Sequence, residues 1–178
     1  ESIVKYINDN IHPVVKVGDY ITPENSEQTL QLMKNGTPII HSAPVINKHN
    51  KTKGIIDLLV RSDYINNITS FNSLSDEETT KRASKLNNPY HYVVVDVKFS
   101  TLPLRADGIH IQNTDSFTAY KSQLLIYTQA IGRIQGYTAP YAFILGRRSK
   151  YTKSGVTNTS YNSLEKLGKI DYKKIDKE

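Results

Sequence analysis

Two short stretches of the chain carry residues whose types and spacing can do chemistry. In Tyr92-Val-Val-Val-Asp96-Val-Lys98-Phe99 an apolar strand pattern sets a carboxylate and an ammonium two residues apart. Side chains alternate across a strand, so Asp96 and Lys98 share one face, and Val93, Val95, Val97 and Phe99 share the other. In Gly54-Ile-Ile-Asp57-Leu-Leu-Val60 a second apolar run holds one acid. A charge in a strand that reads as buried is costly unless something compensates it. A divalent cation held by two carboxylates, with a lysine alongside, is one such compensation. It is also the chemistry of phosphodiester hydrolysis, which needs an in-line water, a lowered water pKa and positive charge for the developing oxyanions. Mg²⁺ or Mn²⁺ on hard oxygen ligands is the expected cofactor. Asp57 and Asp96 are the expected metal ligands, with the backbone carbonyl of Val97 as a third. Lys98 is expected to orient the water or stabilise the transition state. Each aspartate alone also fits a strand-end acid in a structural salt bridge, and Lys98 fits a side chain snorkelling at a sheet edge.

The elements that must position these groups follow from pattern. Residues 2–9 suit a short helix. A better one begins at Pro23-Glu24, runs through Leu30 and Met33, and stops at Asn35-Gly36. Thr37 to His41 and Ala43 to Ile46 read as short strands broken by Pro44, and 47–53 as a polar turn. Lys53 to Arg61 is a strand. Residues 62–89 read as a polar insertion, with a helix at 76–86 that starts on Asp76-Glu-Glu78. Tyr90 to Phe99 is the strand of the Asp96–Lys98 pair, and 101–113 is a loop. Phe117, Tyr120, Leu124, Tyr127 and Ile131 recur at spacings of three and four, which predicts a helix over 115–134 ended by Gly136. Ala139 to Leu145 is a strand, and 149–178 is a polar, basic tail. The order αβββαβ predicts an α/β fold with a central mixed sheet flanked by helices.

The series Gly54-Ile-Ile-Asp57, Asp96-Val-Lys98 and Gln123-Leu-Leu-Ile-Tyr127 resembles the three ordered motifs of RecB-type nucleases. These belong to the PD-(D/E)XK superfamily and include lambda-exonuclease-like and CRISPR-associated relatives. The resemblance spans about residues 24–146 and implies a restriction-endonuclease-like core acting as a metal-dependent DNA nuclease, with exonuclease activity favoured. It implies that Gln123 and Tyr127 lie near the site and the nucleic-acid strand; four residues apart, they share a helix face. The two residues also fit ordinary rim and core positions of an amphipathic helix. Relatives often add a metal ligand from an upstream helix, for which Glu27 is the first choice here and Glu24 and His41 are alternatives. Relatives that carry an iron–sulfur cluster use four cysteines. This chain has none and resembles the cluster-free branch.

Composition sets bounds on this reading. The 178 residues suffice for one domain with a core, here expected to be a nuclease domain over 1–178; because the sequence starts at Glu1, a fragment of a longer protein stays open. Lys and Arg total 23 against 17 acids, for a net charge of +6, which favours an anionic partner such as DNA and leaves RNA open. No apolar run approaches the roughly 18 residues of a membrane span, no secretory leader is visible, and the absence of cysteine fits a reducing, intracellular location. Beyond the last core strand, Arg147 and Arg148, with Lys150 and Lys153, are placed to contact phosphates or to form a solvated basic edge. Arg61 falls on the face of Asp57 if the strand is regular, where it contacts substrate or pairs with an acid. The five histidines show no metal-ligand spacing. A homo-oligomer, or a fused or partner helicase domain, stays open. So do a structure-specific endonuclease and a lapsed, DNA-binding version of the fold.

Overall fold

The computed structural model describes residues 2–176. In chain order the elements are α1 (Ser2–Asn10), β1 (Val15–Lys16), α2 (Pro23–Lys34), β2 (Ile39–Asn47), β3 (Thr52–Arg61), α3 (Asp76–Thr79), β4 (Tyr92–Pro103), α4 (Phe117–Gln135), β5 (Tyr141–Lys153), β6 (Val156–Ser160) and β7 (Gly168–Asp171). All seven strands join one mixed sheet in the order β1-β2-β3-β4-β5-β6, with β7 also paired to β5. The pairs β1–β2 and β4–β5 are parallel and the others antiparallel. The fold is therefore α/β with a mixed central sheet flanked by helices. None of the described helices is long and apolar enough to cross a membrane.

Helices cover both faces of the sheet. On one, Met33 of α2 and Leu124, Ala130 and Ile131 of α4 pack with Ile40, Leu59, Val94 and Ile144. On the other, Ile7 of α1 and Ile65, Ile68 and Leu74 pack with Leu58, Val60, Val93, Val95 and Phe143. The helices start and stop where local chemistry directs. The Thr22 hydroxyl accepts from Asn25 N–H ahead of Pro23, and Gly136 closes α4 in a left-handed conformation with φ +78°.

Strand β1 is unexpected, β4 runs on to Pro103 and β5 to Lys153, and four further elements differ from expectation. Pro44 does not interrupt β2, because β1 pairs β2 only at Ile40 and His41, so at Pro44 β2 is an edge strand that tolerates the missing donor. Helix α3 stops at Thr79 rather than 86: the Thr79 and Thr80 hydroxyls both donate back to Asp76 carbonyl, and Ser62 takes the Thr79 carbonyl. The rest of 62–89 is irregular yet anchored, burying Ile65, Ile68, Leu74, Ala83 and Leu86. The basic tail forms β6 and β7. Its hairpin turns at Ser154-Gly155, both with positive φ, as a two-residue turn between twisted strands requires. The segment after β7 is fastened by a buried Lys121–Asp176 ion pair.

One feature of the sheet positions the site. β3 and β4 pair only from Leu58↔Val95 to Arg61↔Tyr92. Beyond that point the start of β3 stays with β2, while the end of β4 runs with β5. The sheet forks, and Asp57 and Asp96 are the first residues past the last β3–β4 pair. Alternation also shifts phase here: Ile56 and Leu59 pack on the same face, with Leu58 on the other. Ser42 and Asp57 are left out of an otherwise continuous β2–β3 register, and Ser42 has φ +51°.

Candidate active site at the fork of the sheet

Asp57 stands where a ladder hydrogen bond would have continued the sheet. Its Oδ2 accepts from Val97 N–H at 2.8 Å, so the carboxylate replaces the missing strand partner across the fork. The Asp57 carbonyl is met at 2.9 Å by Nδ1 of His41. The Val97 N–H loosened by the fork and the Asp57 carbonyl left over by the break in the β2–β3 register are thereby satisfied, as buried backbone requires.

Asp96 is buried, at 6% exposure. Its Oδ2 lies 2.9 Å from Lys98 Nζ, confirming their shared face. Lys98 and the Asp57 carboxylate are the groups that act on this carboxyl. Burial pushes the Asp96 pKa up; Lys98 opposes the rise, and the nearby Asp57 carboxylate adds to it. Burial works against the Lys98 charge as well, but Asp96, then Asp57 and Tyr120, outweigh it and hold the lysine above its ordinary pKa. Two acids and one cation thus sit within electrostatic reach in a partly desolvated notch.

Helix α4 straddles the fork. Tyr127 lies over Gly54 on the β3 side, where a Cβ would sit 2.7 Å from the Tyr127 hydroxyl and 2.8 Å from its Cζ. Only glycine admits the ring that close. One turn earlier Gln123 donates to the Tyr127 hydroxyl at 3.0 Å. On the β4 side, Lys98 Nζ stands 4.5 Å from the centre of the Tyr120 ring. Tyr120, Gln123 and Tyr127 form one stripe of the helix. In the sequence Tyr120 stands out only as a periodic position of the helix; its spacing to Gln123 and Tyr127 is the signal that it faces the site.

The remaining expected residues lie elsewhere. Glu24 and Glu27 are exposed on α2, and Glu27 accepts from Gln31 at 2.7 Å. Among the described residues no three His, Asp or Glu side chains gather closely enough to hold one ion, so no third such ligand joins Asp57 and Asp96. His41 supports Asp57 through its backbone. Arg61 takes the second of its two expected roles: it grips both oxygens of Asp63 at 3.0 and 2.6 Å, donates to Gly36 carbonyl at 2.8 Å, and stacks 3.9 Å over Tyr90. Arg147 and Arg148 lie beyond the site on β5, over the rings of Phe99 and Tyr161.

No protein-family model matches this sequence, and no curated protein matches it.

Proposed function

We propose that this chain is a metal-dependent deoxyribonuclease with a restriction-endonuclease-like core, and that it degrades DNA from ends. The observation that carries the reading is the meeting of Asp57 and Asp96 at the fork, with Lys98 2.9 Å from a buried Asp96 carboxylate whose pKa burial and Asp57 both raise. Two carboxylates this close, one of them buried, repel each other, and the single Lys98 ammonium leaves the Asp96 pKa raised, so the pair favours a further cation. The donor set is hard oxygen, which fits Mg²⁺ or Mn²⁺. Asp57 and Asp96, with the Val97 carbonyl, would hold the ion, which when bound lowers the pKa of a coordinated water.

The chain's own groups supply the rest. Lys98 projects its ammonium toward the carboxylates, where it orients the attacking water and balances charge building on the phosphate oxygens. Its raised pKa keeps it cationic for that role. Because Tyr127 accepts from Gln123, its own phenol proton is free to be donated toward the nucleic-acid strand. His41 fixes Asp57 from behind.

The test is degradation of end-labelled linear and closed-circular DNA with Mg²⁺, Mn²⁺ or EDTA, beside Lys98→Ala. Metal-dependent loss of linear DNA alone, absent in the variant, supports the reading. Cutting of the circle replaces exonuclease with endonuclease, and binding without cleavage under any metal leaves only a DNA-binding role.

A further inference from the structure

On the sheet face opposite the Asp96 and Lys98 side chains, a cleft of about 1000 Å³ opens between α1 and the middles of β4 and β5. Phe99, Arg147 and Tyr161 line it, with Tyr6 from α1. Phe99 is 85% exposed and Tyr161 75%, although both are large and aromatic. Each has a guanidinium over its ring: Arg147 at 4.9 Å from the Phe99 centroid, and Arg148 at 5.3 Å from that of Tyr161. The loop carrying Tyr161 is tied to β5, since Ser163 donates to the Arg147 carbonyl at 2.7 Å. Of the described residues lining the cleft none is acidic; Arg147 brings a charge to it, while Lys98 lines it from the strand and turns its ammonium to Asp96 on the other face. Exposed rings capped by arginines in a cleft without acids are complementary to a ligand that is flat, apolar-faced and anionic along its length.

We infer that this cleft binds an unpaired DNA strand, with bases stacking on Phe99 and Tyr161 and phosphates meeting Arg147 and Arg148. Base–aromatic stacking is sequence-tolerant, and arginines contact the backbone without reading bases. The position suits the proposed nuclease, on which this inference rests for its purpose. Phe99 is three residues from Asp96, about 10 Å along the strand, or about three stacked nucleotide spacings. The fork leaves the sheet open beside Asp96, so a strand whose scissile phosphate lies at the carboxylates continues past Lys98 into the cleft.

The experiment is fluorescence anisotropy of a labelled oligodeoxythymidylate of about 12 nucleotides, in EDTA, with the full chain and with Phe99→Ala, Tyr161→Ala, the double variant and Phe99→Trp. Both rings are exposed, so their removal leaves the core intact. Each alanine is expected to weaken binding about tenfold, and Phe99→Trp to retain it. The chain has no tryptophan, so Phe99→Trp also provides a lone fluorophore whose quenching on binding reports stacking directly. Wild-type affinity in the double variant, binding without quenching, or binding of blunt duplex but not of the single strand would each overturn the inference. Cleavage is read separately with Mn²⁺ on linear duplex. Stacking without cleavage defeats the nuclease reading and keeps the strand site; cleavage with no effect of the double variant does the reverse.

Discussion

Gly54→Ala places a methyl group where the Tyr127 ring lies. The added carbon would be 2.7 and 2.8 Å from the ring's hydroxyl and Cζ, against about 3.5–4.0 Å for an ordinary contact, so the ring must move by about 1 Å. Overpacking of this kind costs about 1–3 kcal/mol. Alanine recovers about 0.5–1 kcal/mol of backbone entropy relative to glycine within a strand, so a net loss of about 1–2 kcal/mol is expected. For a domain of this size that lowers Tm by about 2–8 °C. Displacing Tyr127 also breaks its alignment with Gln123, and DNA cleavage should fall with it. Differential scanning calorimetry on a double-mutant cycle isolates the cause: in a Tyr127→Ala background the obstacle is gone, and Gly54→Ala becomes neutral or stabilising. Equal destabilisation by Gly54→Ala in both backgrounds would refute the packing argument.

Other outcomes follow from the same geometry. Asp96→Asn removes a buried carboxylate whose pKa is pushed up by desolvation, so without metal the variant should melt no lower than wild type. Mn²⁺ at about 100 times its Kd should add about 2.7 kcal/mol to wild type, or about 5–10 °C, and nothing to the variant; an equal metal effect on both would disconnect Asp96 from binding. His91 is fully buried between Lys81 carbonyl and the Tyr141 hydroxyl, and burial lowers its pKa. The folded chain therefore holds it neutral while the unfolded chain takes up a proton below about pH 6.5. Stability should fall as pH drops from that value, and thermal melts of His91→Gln, which cannot protonate, should show a shallower slope.

The αβββαβ order was legible because the strands around Asp57 and Asp96 are continuous apolar runs and α4 is strongly periodic. The shared face of Asp96 and Lys98 followed from strand parity alone. The fork did not, because it arises from β3 and β4 choosing different partners past Leu58 and Val95, a tertiary pairing that no local pattern encodes. The phase shift at Asp57 was hidden for the same reason: it needs the left-handed Ser42 opposite. The β6 hairpin carried its own signal, Ser154-Gly155 between polar alternating segments, but its exposed residues lack the apolar face that marks a strand. The packed state of 62–89 was obscured because its buried Ile65, Ile68, Leu74 and Leu86 fall at irregular spacings among polar residues.

The most direct test of the central claim is single-turnover cleavage of end-labelled linear duplex DNA by wild type, Asp57→Asn, Asp96→Asn and Lys98→Ala, each in Mn²⁺ and in EDTA. Wild type should cleave only with metal, and each variant should lose at least about a hundredfold in rate, with circular dichroism showing the fold retained. Metal-dependent cleavage that survives Asp96→Asn at the wild-type rate would contradict the placement of the site at the fork.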